Sequence, residues 1–333
     1  MIAGPNGRAR LTRLATGHIL TAALSAVAEL GVVDVMPVGE PRQVDDLAMR
    51  VDADADALHR VMRALAAEGL FVEVEPRAFA TTELGELLRD GPQSLRYVAL
   101  LHGRQTMPLF CDIVGTVRTG VPVPVRREGR TRWDQLADDP EQAALFNRAM
   151  RGRAARLREA LRAVDWSDVH TVVDVGGGIG GVVLPHLADE RHLHGVLFDL
   201  PHVEADAKAA IAEAALADRC DFAGGDFFHA VPSGADAYLL SNVLHDWGDE
   251  DARRILGATR AAMQPDARLV VLEDLVPPGD DPHPVKILDL QMLVALGGRE
   301  RSEAEFAALF AASGFELADV AGTGPYALVG RPV

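Results

Sequence analysis

The chain has 333 residues, 48% of them hydrophobic and 5% aromatic, which is enough apolar material for a core in each of two domains and excludes a disordered polymer. Its formal net charge of −16 argues against nucleic acid or an acidic membrane leaflet as a partner and favours a small neutral substrate. Two cysteines, Cys111 and Cys220, cannot build a disulfide framework, and neither has a second cysteine or a histidine at metal-ligand spacing, so a reducing cytoplasm is the expected compartment.

Arg8, Arg10 and Arg13 precede an alanine-rich stretch, 14–28, that mimics a signal peptide. Thr16, Gly17, His18, Thr21 and Ser25 interrupt it, and the segment continues as an ordinary helix to Gly31. No stretch is expected to approach the roughly 20 apolar residues of a membrane span. Residues 44–51 and 55–68 follow as helices, the second with Leu58, Val61, Met62, Leu65 and Ala66 on one face and Gly69 as its stop. Residues 70–74 and 78–81, with a turn at Pro76, read as a two-stranded wing. This is a winged-helix pattern over 1–95, and its charge decides its use. The first 100 residues carry 10 basic and 14 acidic side chains, so a phosphate backbone would be repelled and a packing or dimerisation module is the better reading.

Residues 95–118 are predicted helical, with Leu100, Leu101, Met107, Leu109, Phe110 and Ile113 as the apolar set. Pro122, Pro124 and the basic run 126–132 read as a linker loop, after which a helix runs from 140 through Phe146, Met150 and Leu157 to Val164. Met and Phe at this spacing serve either a core or the wall of an aromatic-substrate pocket. The segment 96–164 is expected to be a helical linker contributing to the substrate pocket. From 165 to 333 the pattern alternates apolar strands with amphipathic helices, the signature of an α/β, Rossmann-like, doubly wound seven-stranded sheet. Strands are placed near 171–175, 195–199, 219–223, 236–241 and 268–273, with two more after Gly314. Ligands in such sheets sit at the carboxyl ends of the strands, so Asp174, Asp199, Asp226, the stretch 241–246 and Glu273 share one crevice.

The stretch 171–181 begins with the first of these strands, which runs straight into glycines. Gly176, Gly178 and Gly181 with Asp199 fit a dinucleotide fingerprint, and an S-adenosylmethionine (SAM) site uses a similar turn. Asp174 tilts the choice: a carboxylate there repels a pyrophosphate but attracts a sulfonium and an ammonium. Phe198, Asp199 and Leu200 then offer a carboxylate for ribose hydroxyls. Gly225, Asp226, Phe227 and Phe228 offer an acid among aromatics for an adenine, and Leu244, His245, Asp246 and Trp247 set an imidazole beside an indole.

On these motifs, together with residues 146–150 and 297–302, nearly the whole chain resembles the SAM-dependent O-methyltransferases of small-molecule metabolism. These are the plant caffeate-type family and its bacterial relatives that methylate polyketide and other aromatic hydroxyls. The resemblance implies that Gly176 and Gly178 approach the methionine part of SAM, that Asp199 holds the ribose, and that Asp226 and Phe227, with Trp247 nearby, meet the adenine. It implies His245 as general base, oriented by Glu273 and Glu300, with no metal. Met150 and Met292 match acceptor-pocket positions, alongside Met107, Phe110, Phe146, Asn242 and Asp246. A homodimer through the N-terminal domain, S-adenosylhomocysteine as product and a small hydroxylated aromatic acceptor complete the expectation. Ser241 and Asn242 stand where the plant enzymes carry Lys-Trp, which removes one cationic contact to the cofactor and alters a pocket wall.

Elementary chemistry agrees with that assignment. Methyl transfer from a sulfonium is an in-line displacement that mostly requires alignment. A phenol of pKa about 10 needs a base, and an imidazole of pKa about 6.5 can take its proton. Glu273 could then accept from the other ring nitrogen and fix the tautomer. The remaining histidines, His229 among them, have no partner that the sequence identifies. The competing hypotheses are a diverged family member that uses SAM without ordinary methyl transfer, a nicotinamide-dependent oxidoreductase, and a ligand-responsive DNA-binding regulator.

Overall fold

The computed structural model describes residues 5–91 and 94–333. Its contacts divide the chain into two units: residues 1–111 with 141–152, and residues 112–140 with 153–333. The segment 96–164 is therefore shared between the two units, and the long helix Pro140–Arg162 contributes to both.

In the first unit, helix α1 (Pro5–Leu30) is followed by β1 (Arg42–Gln43), α2 (Val44–Arg50), α3 (Ala55–Ala66), β2 (Phe71–Glu75) and β3 (Ala78–Thr81). The strand order β1-β3-β2 adds one short strand to the predicted wing. Asp54 caps α3 by accepting from the Ala57 N–H at 2.8 Å, and Leu58, Met62 and Leu65 are its buried face. Gly69 ends the segment at φ 85°, a conformation that suits glycine. The expectation about membrane spans needs correction. Residues Gly7–Leu30 form 24 helical residues of mean hydropathy 1.2, long and apolar enough to cross a membrane by length and composition.

The stretch 95–138 departs from the prediction in two places. The predicted helix over 95–118 is broken into Arg96–Leu101, a π-turn His102–Thr106, Met107–Phe110 and Ile113–Thr119. Pro108 has no N–H to continue the ladder, which accounts for a break there. The expected linker loop is instead two helices, Val123–Glu128 and Arg132–Asp138. Pro124 lies in a first turn, where its missing N–H costs nothing, and Thr131 with Asp134 forms a capping box. The basic run is neutralised locally, with Asp112 taking Arg126 at 2.9 Å and Arg127 at 3.2 Å.

The second unit is a seven-stranded sheet of order β6-β5-β4-β7-β8-β10-β9. Its strands are β4 (Thr171–Val175), β5 (His194–Asp199), β6 (Cys220–Gly224), β7 (Ala237–Ser241), β8 (Arg268–Glu273), β9 (Phe315–Gly322) and β10 (Tyr326–Pro332). The first five are parallel, and β10 runs antiparallel to both β8 and β9. Side chains alternate between faces, so Val172, Leu197, Leu239 and Val270 enter one core while Val173, Val175, Tyr238, Leu240 and Val271 enter the other. Burial on both faces explains why these strands read as unbroken apolar runs. The strand order reverses beside β4, and the carboxyl ends of β4, β5, β7 and β8 carry the candidate residues.

Candidate active site

The first corner of the site is the turn after β4. Gly176, Gly178 and Gly180 adopt φ of 71°, 54° and 77°, a left-handed conformation at every second residue that favours glycine. Gly180, rather than Gly181, is thus the third glycine whose conformation matters. The Gly176 N–H donates to the Phe198 carbonyl at 2.8 Å, and the Gly178 N–H donates to Asp199 Oδ2 at 2.7 Å. Asp199 Oδ1 accepts from the Leu200 N–H at 2.7 Å, which locks that carboxylate at the mouth of the turn. Asp174 lies beneath the loop at 1% exposure, and a Cβ on Gly177 would stand 2.5 Å from its Oδ2.

Burial, reinforced by the charge of Asp199, raises the Asp174 carboxyl to about 7. Burial also raises Asp199, against the pull of the two backbone N–H donors. Asp174 Oδ1 and Ser241 Oγ are buried without a hydrogen-bond partner among the described residues. Orphaned acceptors beside a glycine cradle fit a cofactor that brings its own ammonium.

Aromatic residues form the wall beyond the cradle. Trp247 meets Phe228 edge-on at 4.7 Å and Phe227 at 6.0 Å between ring centroids. Trp133, on the helix Arg132–Asp138, stacks on Trp247 at 6.3 Å and is a contributor that sequence reasoning missed. Gly225 lies against Phe198, since a Cβ there would meet the ring at 2.5 Å. Asp226 accepts from the Phe228 N–H at 2.8 Å and contacts His229 Nδ1 at 3.0 Å, a partner for His229 that the sequence did not identify.

The second corner is built around His245, in the 3-10 turn Leu244–Asp246 that follows β7. His245, Glu273 and Glu300 are 7%, 0% and 3% exposed. The ring Nδ1 lies 2.9 Å from Glu300 Oε1 and 3.2 Å from Glu273 Oε2, and Nε2 lies 3.4 Å from Asp246 Oδ1. Both glutamates therefore face the same ring nitrogen, and neither contact is aligned as a hydrogen bond, because two acceptors compete for one N–H. Glu273 also accepts from the His245 peptide N–H through Oε1 at 3.2 Å. The Glu300 N–H in turn donates to Asp289 Oδ1 at 2.8 Å, so Asp289, absent from the sequence reading, fixes that glutamate.

Burial works against an imidazolium, but the carboxylates of Glu273, Asp246 and Glu300 outweigh it and raise His245 to about 10. Burial raises Glu273 to about 8, partly offset by the imidazole. The groups titrate as one cluster, which holds its protons tightly at neutral pH. The ligand atoms of His245, Glu273 and Glu300 lie within 4.8 Å of one another, a spacing that suits a shared proton and would also suit a metal ion.

The remaining residues that the sequence reading assigned to the acceptor pocket fall in both units. Asn242 (φ 53°), Asp246 and the buried Met292 belong to the second, while Met107, Phe110, Phe146 and Met150 belong to the first. Asparagine tolerates this left-handed conformation well, which gives a local backbone reason for Asn242 at that position.

An O-methyltransferase domain model matches residues 113–316 and an O-methyltransferase dimerisation domain model matches residues 12–90. The chain is 40% identical to the phenazine O-methyltransferase PhzM of Lysobacter antibioticus, over 92% of this chain and 90% of that protein. It is 38% identical to the aclacinomycin 10-hydroxylase RdmB of Streptomyces purpurascens, over 91% and 83%. It also superposes with TM-score 0.80 and 30% identity on an O-methyltransferase, NcsB1, from neocarzinostatin biosynthesis, solved with SAM and 2-hydroxy-5-methyl naphthoic acid. That match covers 94% of this chain and 96% of that one.

Proposed function

The chain belongs to the O-methyltransferase family and is a SAM-dependent O-methyltransferase, and we propose that His245 takes the proton of an aromatic hydroxyl on a small secondary metabolite. One observation carries this reading: a buried imidazole whose Nδ1 is flanked by Glu300 at 2.9 Å and Glu273 at 3.2 Å. With Nδ1 flanked by two carboxylates and Nε2 3.4 Å from Asp246 Oδ1, Nε2 is the atom proposed to take the acceptor's proton. Their charge raises the proton affinity of the ring to about 10, so the deprotonated ring, populated on the alkaline side, is the form that takes a phenol's proton.

SAM supplies an electrophilic methyl carbon on a sulfonium. Asp174 and Ser241 are proposed to receive its polar groups, and Asp199 its ribose. Gly176, Gly178, Leu200 and Gly225 form the cradle, with Asp226, Phe227 and Trp247 about the adenine. Asn242, Asp246 and Met292, with Met107, Phe110, Phe146 and Met150, are proposed to line the acceptor's place. The reaction is proposed to need no metal, and the protein to act as a homodimer through the 12–90 region. The exposed Leu11, Leu14 and Ile19 of α1 would then be covered by a second copy.

Methyl incorporation from labelled SAM into a panel of hydroxylated aromatics tests the activity. His245→Ala should lower turnover by about 10² to 10⁴ with S-adenosylhomocysteine affinity retained, and wild-type turnover in that variant would remove the base. The relative named as a hydroxylase favours a second reading, a cofactor-bound enzyme that performs another reaction. Consumption of the aromatic without label transfer would select it.

A further inference from the structure

Arg301 is the largest side chain buried almost completely, at 1% exposure, and none of the steps above uses it. Burying a guanidinium is costly unless its donors are met, so its partners reveal what it holds. Nη1 donates to the Leu244 carbonyl at 2.8 Å, and Nη2 donates to the Trp247 carbonyl at 2.9 Å. Nη2 and Nε donate to Asp249 Oδ1 at 2.8 and 3.0 Å. The neighbouring Arg299 N–H donates to the His245 carbonyl at 2.9 Å. Gly298 is pressed against the same turn, since a Cβ there would lie 2.1 Å from the His245 oxygen.

The carbonyls before, at and after His245 are thus held by the stretch 298–301, which also carries Glu300. A planar fork can span two carbonyls and a carboxylate, whereas an ammonium cannot match that geometry. We propose that Arg301 is a positioning residue that clamps the 244–247 turn, so that His245 Nε2 keeps its aim while Glu300, one residue away, is held at Nδ1. The inference rests on His245 being the proton acceptor. A displacement of about 1 Å in such a group can lower turnover by about 10²-fold, which sets the scale of the effect.

The test is a double-mutant cycle in the full-length protein, with kcat, KM and S-adenosylhomocysteine affinity measured for Arg301→Lys, His245→Ala and both together. Arg301→Lys is expected to lower kcat by about 10²-fold. KM and S-adenosylhomocysteine affinity should stay within about twofold of wild type, and in the His245→Ala background Arg301→Lys should change turnover by less than about twofold. Asp249→Asn, which leaves both carbonyl contacts, should cost less than Arg301→Lys. Wild-type kcat in Arg301→Lys overturns the proposal, and so does an equal loss with and without His245, since the arginine would then serve folding alone. Wild-type turnover in His245→Ala by itself instead removes the base assignment, so the two failures are distinguishable. If Arg301→Lys does not fold, Gly298→Ala takes its place in the cycle, because it displaces the same turn by contact at the His245 carbonyl. The same non-additive loss of kcat supports the clamp, and wild-type kcat overturns it.

Discussion

The two corners of the site bury acidic groups at the ends of neighbouring strands but hold them by opposite means. Around Asp174 and Asp199 the work is done by backbone: glycine conformations, N–H donors at 2.7 Å, and beside them a buried Asp174 oxygen without a hydrogen-bond partner among the described residues. Around His245 it is done by side chains from three separate segments, with Nδ1 at 2.9 Å from Glu300 and 3.2 Å from Glu273 but with neither contact aligned as a hydrogen bond. A cofactor corner that leaves acceptors unpaired gains binding energy when a cation arrives. A base corner whose charged groups all come from the chain itself is assembled before substrate arrives, which suits proton transfer.

The largest expected separation between the corners comes from Asp199→Ala. It removes a carboxylate that organises the cradle, and SAM affinity should fall by about 10- to 100-fold, the scale of hydrogen bonds to a charged group. Calorimetry reads this directly, and unchanged affinity would place the cofactor elsewhere.

Glu300→Gln should act on the other corner. Removing that charge lowers the proton affinity of His245, so the ascending limb of the pH–rate profile, which the cluster holds on the alkaline side, should move toward acid while its plateau falls by about tenfold. A limb that stays in place would show that Glu300 does not act on the ring.

Stability follows the same sign. Glu273 and His245 both bind protons more tightly folded than unfolded, so their contribution is complete at low pH. It is lost as pH rises, from the ordinary carboxylate value of 4.5 through about 8 for Glu273, and from 6.5 through about 10 for His245. Thermal melting of Glu273→Gln should therefore be flatter between pH 5 and pH 8 than that of the wild type.

A smaller effect is expected at Asp174, whose carboxyl titrates near 7. SAM should bind its ionised form best, so affinity should rise by about tenfold from pH 5.5 to pH 8.5, and Asp174→Asn should abolish the rise. No change is expected from a chelator: dialysis against EDTA should leave turnover intact, and loss restored by a divalent ion would assign a metal to the His245 cluster.

The cofactor corner was largely legible in the sequence because its information is local. A β-branched run, glycines at tight spacing and an acid at the next strand end specify a turn wherever they occur. The inner strands β4, β5, β7 and β8 were legible for a similar reason, since burial on both faces leaves continuous apolar runs, whereas β6 and β9 are only partly buried. The break at Pro108 and the helices over 123–138 were misread because proline in a first turn and proline in a helix interior look alike until the register is known. The base corner was legible as a set of residues, through family resemblance, but not as a geometry. That Glu273 and Glu300 share Nδ1, that Asp289 anchors Glu300, and that Arg301 is buried against the His245 turn depend on contacts between segments distant in the chain. Local patterning specifies where the backbone turns, whereas only packing decides which side chains lose water together, and that shared burial sets the proton affinity of the cluster.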